Sequence, residues 1–531
     1  VTITKDRVTN QGLRIVKDYN REKGSRSNWD SLWQEVADFT VPRKDDIYNS
    51  DVRGENKGQN LYDGTAVHAS ELLASEMNSS LTNPFVNWFS LSVSKELMKS
   101  GKVREWLKSV EDITHEKLNN SNFYVQNGEI YADQINFGTA VMEVLEDKED
   151  IFRFRSYPIY LIHIKENSKG TVDTVYREYK YTSRQIVQEF GEEVLDDEKM
   201  QMYKESPDKE MRILHAVMPR LDADSSKVGA KNKPIASFHI SLDVEGYILK
   251  ESGFDEFPYM VPRWSKNSNE KYGRGPALKA LADVKMINEM TKIDLQGYQL
   301  TVAPPLMAPD RSFIGPIDST PYALNYYRAG TDAKIEPLFT GVNLNISEAK
   351  IQRMEDKINQ HFFLDQLKLI RGPQMTATEA TIRDDENLRI LSPVMARQNN
   401  EYLKPMTTRI IGLLFRAKAF PEPPAELSGQ EFQVEYTSLI AEAQRSQEAT
   451  KVGRYISIIA PILQIQPRSA DVINGDEILR KTAINLGLDP SFLNPSEEVK
   501  SVREAREQQA QQQAQQQSQL EDSNIAKNLR R

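Results

Sequence analysis

The chain is 531 residues long, with 27% charged residues, a formal net charge of −9, a pI near 5.5 and a mean hydropathy of −0.59. That length exceeds the roughly 250–300 residues at which single cores stop growing, so more than one domain is expected, and no apolar run approaches the roughly 20 residues of a membrane-spanning helix. The absence of cysteine excludes disulfides and thiolate metal ligands, and the acidic balance argues against a surface that grips nucleic acid everywhere, while remaining compatible with one past which a duplex slides.

The opening residues, Val1 to Asp6, lack the layout of a secretory signal, so the N-x-S/T matches at Asn78, Asn119 and Asn345 read as chance. Apolar residues three and four apart predict helices over Val8–Glu22, Trp29–Phe39, Ala66–Leu81, Val103–Leu118 and Val125–Phe137, with Asp63 as an N-cap and Asn83-Pro84 as a stop. After Gly138 the period shortens. Val141–Leu145, Ile151–Arg155, Val172–Tyr181, Met211–Met218, Ser237–Leu242 and Tyr247–Leu249 read as strands, with a short helix at Arg184–Phe190, which makes an α+β region.

From Pro276 a helix of about 26 residues is expected, roughly 39 Å long at 1.5 Å per residue. Leu278, Leu281, Val284, Ile287, Met290 and Ile293 recur on it every three residues, a spacing that lags an α-helix and wraps the apolar stripe around it, so packing on several sides is expected. Prolines 304, 305, 309, 316, 321 and 337 then rule out a continuous helix. A second long helix is predicted over Ser347–Lys368, with Ile351, Met354, Ile358 and Phe362 on one face. Further helices are read at Thr378–Asn387, Ala396–Phe415, Leu439–Ile459 and Gly475–Leu486, before a tail in which Gln508–Gln519 holds nine glutamines and reads as a polar helix or a disordered segment.

Catalytic motifs fail on their spacing. Gly101-Lys102 is followed by Val103 and has Glu96 where a phosphate loop needs glycine. Gly273-Arg274-Gly275 meets Leu278 where a dinucleotide turn needs a third glycine. His115-Glu116 has Asn119 where a zinc helix needs its second histidine, and His68, His163, His215, His239 and His361 are scattered, as packing or surface residues are. Asp384-Asp385-Glu386 beside Glu379 reads as a solvated face, with a magnesium site or a channel lining as alternatives. Lys368 and Arg371, followed by Gly372-Pro373 and Gln374, read either as a helix end with two solvated cations or as a loop that touches phosphates without reading sequence. No enzyme activity, cofactor or metal is expected.

Several segments resemble one family in order and spacing. They are Asp63-Gly64-Thr65-Ala66 through Asn83-Pro84 to Trp88-Phe89; Phe137-Gly138-Thr139-Ala140; Pro262-Arg263-Trp264-Ser265 with Tyr272-Gly273-Arg274-Gly275-Pro276 and Asp283–Asn288; Met375–Glu379; and Tyr436–Leu439 with Ala443-Gln444. Together they resemble the portal, or head-to-tail connector, proteins of short-tailed, T7-like bacteriophages. The resemblance implies a mainly α fold with an α+β wing region, organised as wing, stem, clip and crown and assembling as a ring. On it, 1–272 is wing, 273–303 and 347–367 are stem helices, 304–346 clip, 368–378 a channel loop, 379–438 a long wing helix and its return, 439–500 crown, and 501–531 a tail that is a helical barrel or disordered.

The same resemblance implies a homo-oligomeric ring of twelve in the virion, at one capsid vertex. That ring would be a conduit for double-stranded DNA in packaging and ejection, and a partner of the terminase large subunit, the major capsid and scaffolding proteins and a tail adaptor, with no membrane role. Its candidate residues are Lys368, Arg371, Gly372 and Gln374 for the channel loop and the six-residue stripe of the first stem helix for ring packing. A packaging nuclease or ATPase component and a helical scaffold with no DNA role are the alternatives.

Overall fold

The computed structural model describes residues 8–48, 57–94, 96–194, 204–220, 222–223, 229–244, 246–303, 305–307, 326, 336–337, 344–364, 391–427, 433–436, 451–461, 466, 473–485, 493–494 and 499–512. They fall into two compact units, Val1–Pro84 with Thr114–Ala419, and Phe85–Ile113 with Phe420–Arg531. No helix among the described residues is long and apolar enough to cross a membrane.

Helices α1 (Asn10–Ser25), α2 (Ser27–Thr40) and α3 (Thr65–Leu81) open the chain. Thr9 caps α1 by accepting a hydrogen bond from Gly12 N–H, whereas α3 begins after Gly64 and the expected cap, Asp63, instead accepts from Thr65 N–H in a local turn. Strand β1 (Phe89–Ser92) and helices α4 (Gly101–Asn120) and α5 (Phe123–Phe137) follow. Gly138 ends α5 with φ near +75°, the left-handed cap that glycine adopts without steric cost.

The α+β region holds two antiparallel sheets. Strands β2 (Val141–Asp147), β3 (Ile151–Tyr157) and β9 (Tyr259–Met260) pair in the order β3-β2-β9. Strands β4 (Ile162–Glu166), β5 (Val172–Thr182), β6 (Glu210–Pro219), β7 (Ile235–Ser241) and β8 (Tyr247–Phe254) form a five-stranded meander, with α6 (Ser183–Phe190) between β5 and β6. Alternation along each strand sends side chains to opposite faces. Leu214, Phe238 and Ile240 pack with Ile15, Val16 and Tyr19 of α1, while Met211, Ile213 and Leu249 pack with Ile186 of α6.

Polar side chains tie the two sheets together. His215 lies fully buried, with Nδ1 hydrogen-bonded to Tyr259 OH at 2.9 Å and Nε2 to Ser237 Oγ at 2.9 Å. Its ring stacks on His239 at 4.2 Å, and His239 Nδ1 is bonded to Tyr179 OH at 3.0 Å. Arg177 lies over the rings of Tyr157 and Tyr179, and Tyr157 OH donates to the buried Glu143 carboxylate at 2.7 Å.

The two long helices form an antiparallel pair. Helix α7 (Pro276–Val302) opens with proline at its first position, and α8 (Leu344–His361) returns alongside it. Asp283 near the start of α7 takes Lys357 at 2.8 Å and His361 at 3.1 Å from the end of α8, while Tyr298 OH near the end of α7 donates to Glu348 near the start of α8. Strands β10 (Leu306–Met307) and β11 (Glu336–Pro337) pair across the base of the proline-rich insertion. Helix α8 ends at His361, where Phe363 turns to φ 60°, a left-handed conformation that breaks an α-helix, and the rest of the predicted span, to Lys368, lies outside the described residues beyond Leu364.

The predicted helix Ala396–Phe415 is also interrupted. A helical stretch over 391–398 gives way to a π turn, Asn399–Leu403, before α9 (Lys404–Arg416). In the second unit β1 pairs with β12 (Gln433–Tyr436), Trp106 Nε1 donates to Pro421 O, and the buried Glu111 carboxylate accepts from Leu91 N–H. Residues 451–461 are helical, as is α10 (Gly475–Asn485), and a helix over 499–512, exposed from residue 500 on, is tied to Asp476 by Arg503 with two bonds of 2.7 Å. Thr378–Asn387 and the rest of the glutamine tail lie outside the described residues.

Burial pushes His239 down to about 3 and His163 down to about 2, and holds His215 well below the usual range, with Arg177 adding repulsion at the stacked pair and Arg26 at His163. These groups bind fewer protons folded than unfolded, so their stabilisation is complete above about pH 6.5 and is lost as pH falls. Chemical denaturation at pH 7 and pH 5 is expected to show stability falling on acidification. His239→Asn is expected to reduce that slope by up to about 1.4 kcal/mol per pH unit. An unchanged slope would contradict the neutral stack.

Candidate functional site

The segments that stand out in the sequence meet at one place in the fold. Gly138 and Gly273 cross so closely that a Cβ on either would lie 2.3 Å from the other's carbonyl oxygen, and a Cβ on Gly275 would lie 2.2 Å from the carbonyl of Ile135. These glycines admit backbone against backbone at the end of α5 and the start of α7. Hydrogen bonds fix the crossing: Gly273 N–H donates to Thr139 Oγ1 at 2.8 Å, Trp264 N–H to Gly138 O at 2.9 Å and Ala140 N–H to Pro262 O at 3.1 Å. Gly273-Arg274-Gly275 is thus a packing element of the helix entrance.

Arg263 occupies the centre of this junction and is 1% exposed. Its Nε and Nη2 donate to Glu401 at 3.0 and 2.8 Å, Nη1 donates to Glu166 and to Lys271 O, and Nη2 also reaches Gly170 O. Burial opposes the charge, and the carboxylates of Glu401 and Glu166 more than offset that, holding the guanidinium above its usual pKa. Lys266 also pairs with Glu166, and Arg397 with Glu401. One buried cation therefore joins β4, the approach to α7 and the π turn.

Two further pairs of segments converge. Asn288 of α7 accepts from Tyr62 N–H and Asp63 N–H through Oδ1 and donates to Asn60 O, fixing the approach to α3. In the second unit Phe89 stands opposite Tyr436 in the ladder and Trp88 stacks on the Tyr436 ring.

The stripe on α7 divides. Leu281, Val284 and Ile287 are buried inside the chain, where α7 packs on α2, α3, α5 and α8. Leu278 and Met290 are half-buried, and Ile293 is 58% exposed. A second line appears that the three-residue spacing does not show: Met286, Ile293 and Leu300, seven residues apart, are each exposed. Seven residues make nearly two turns, so these three side chains line one face.

Lys368, Arg371, Gly372 and Gln374 lie outside the described residues, as do Glu379, Asp384, Asp385 and Glu386. His115, His163 and His215 prove to be core residues, His239 is half-buried in its stack on His215, and His361 pairs with Asp283. Among the described residues, no group of three or more His, Asp or Glu is placed to hold a metal ion. The roles of Arg263 and Glu401 have no local sequence signal, because they depend on elements far apart in the chain. Pro405, inside an otherwise helical pattern, is the available signal for the π turn.

The site is a packing junction serving a long helix pair, the equipment of a structural subunit. Comparison with known proteins defines which kind: over residues 14–493 the chain matches the bacteriophage head to tail connecting protein family, and it belongs to that family. It is 31% identical over 509 residues to the portal protein of Salmonella phage epsilon15, covering 94% of this chain and 91% of the relative. It is also 31% identical over 505 residues to the probable portal protein of Bordetella phage BPP-1, covering 93% and 91%. A chain in the neck of an empty gene transfer agent particle overlays 81% of this chain and 91% of itself, at 9% identity and a TM-score of 0.38.

Replacing Gly138 or Gly273 by alanine is expected to cost about 3 kcal/mol, because the new Cβ meets a rigid carbonyl and, at Gly138, also a left-handed backbone. Gly24→Ala in α1, where a Cβ meets nothing within 4 Å, is expected to stabilise by about 0.5–1 kcal/mol. Equilibrium urea denaturation distinguishes these outcomes, and equal effects at all three positions would contradict the crossing.

Proposed function

We propose that this chain is a portal protein. It forms a closed ring of twelve at one capsid vertex, conducts double-stranded DNA inward during packaging and outward during ejection, and docks first the terminase large subunit and later a tail adaptor, with capsid and scaffolding proteins around it. Within the connector family, the observation that carries this reading is the second apolar line on α7. A ring with head-to-tail contacts needs each subunit to offer two different faces that match. Leu281, Val284 and Ile287 bind α7 into its own subunit, while Met286, Ile293 and Leu300 remain for a neighbour.

On this reading 273–303 and 347–367, built on α7 and most of α8, are the stem, 304–346 is the clip, and the wing comprises the N-terminal helices and the two sheets. The segment 368–378 is the channel loop, where Lys368 and Arg371 meet phosphates in passing, flanked by Gly372 and Gln374. The long wing helix and return span 379–438, the crown 439–500, and the glutamine-rich tail 501–531. A net charge of −9 suits a conduit, since a like-charged wall keeps a moving duplex from adhering.

Ile293→Asp with Leu300→Asp is expected to leave a folded subunit, because both side chains are exposed in the chain, but to abolish rings in mass photometry and axial electron micrographs. Val284→Asp, at a 1% exposed position, is expected to prevent folding itself. Wild-type protein that stays monomeric at high concentration would overturn the ring. Lys368→Ala with Arg371→Ala is expected to assemble normally and to change DNA content in complemented particles; unchanged DNA content would remove the channel-loop assignment.

A further inference from the structure

The helix leading into α9 changes register at one point. Pro405 has no N–H to donate, and in an α-helix its ring would press on the carbonyl of Glu401. The chain responds with the π turn Asn399–Leu403, closed by Lys404 N–H donating to Asn399 O, five residues back. The arms on either side are held very differently.

The C-terminal arm, α9, is built into the unit. Met406, Ile410, Leu413 and Leu414 are buried, and Arg409, 0% exposed, donates to Val144 O at 3.0 Å and Glu256 O at 2.9 Å. The N-terminal arm, 391–398, buries only Gln398, and both polar atoms of that amide lack a protein hydrogen-bond partner. A chain of ion pairs runs from this arm into the unit: Arg397 donates to Glu401 at 3.0 Å, and Glu401 receives Arg263 through its side chain and through its backbone N–H at 3.1 Å.

We propose that the π turn is a latched hinge: Pro405 supplies the break in the helical ladder, the Arg263–Glu401 pair is the latch, and the 391–398 arm swings when the pair opens. The buried Gln398 amide without a protein partner gives the closed state a standing cost, which the latch offsets. The inference does not depend on the conduit reading, since it rests on the turn, the ion pair and the contrast between the two arms.

Hydrogen–deuterium exchange on the full chain, read by mass spectrometry, tests it. Glu401→Ala is expected to speed exchange across 391–400 by about tenfold or more while 406–416 keeps its protection. Glu401→Gln, which preserves shape and part of the hydrogen bonding, is expected to give a smaller acceleration and serves in its place if the alanine variant does not fold. Adding Pro405→Ala restores a donor and relieves the clash, so a continuous α-helix should slow the arm again even without the latch. A simple loss of stability would not be rescued that way. Unchanged exchange over 391–400, equal acceleration of both arms, or no rescue by Pro405→Ala would each overturn the hinge.

Discussion

The crossing of Gly138 and Gly273 is the constraint on which the rest of the first unit depends. Two backbones in direct contact leave no room for a side chain, so the end of α5 and the entrance to α7 can pack this closely only with glycine at both positions. Arg263 then fills the adjacent space with a charge whose hydrogen bonds go to groups from several elements. A buried guanidinium is stable only if its carboxylates arrive, so β4 and the π turn must be in place before the junction is complete. The direction in which α7 leaves the junction follows from this geometry, and with it the face that carries Met286, Ile293 and Leu300.

Much of the fold is legible in the amino-acid sequence because hydrophobic period is a local signal. The first five helices and six of the strands follow from it to within a few residues. Strand β4 was less accessible, because Ile162-His163-Ile164-Lys165-Glu166 offers a short alternation that its neighbour β5 completes. Likewise β9 is two residues long and exists through pairing with β2. The end of α8 at His361 was hidden too: nothing in Phe362-Phe363-Leu364 announces a positive φ, which follows from packing, including the stacking of Phe363 against Trp264.

The functional surface was legible in a different sense. Its residues could be found, since Arg263, Gly273 and Asp283–Asn288 lie in segments with a family likeness, but their work could not. Gly273-Arg274-Gly275 invites a nucleotide reading that the crossing replaces. The apolar stripe every three residues is mostly spent inside the subunit, and a separate line of Met286, Ile293 and Leu300, which shares only Ile293 with it, is left exposed. Separating them requires knowing where α2, α3, α5 and α8 sit, and no local pattern contains that.

The short ladder at the far end of the helix pair has an evolutionary consequence. Leu306 opposite Pro337 and Met307 opposite Glu336 hold the two ends of the intervening segment one strand spacing apart, whatever lies between them. Once the ends are joined, doubling the length of the enclosed chain costs only about 0.6 kcal/mol in closure entropy. That segment can therefore accept insertions, deletions and new side chains with little effect on the helices behind it. Changes there need not disturb the pairing of α7 with α8.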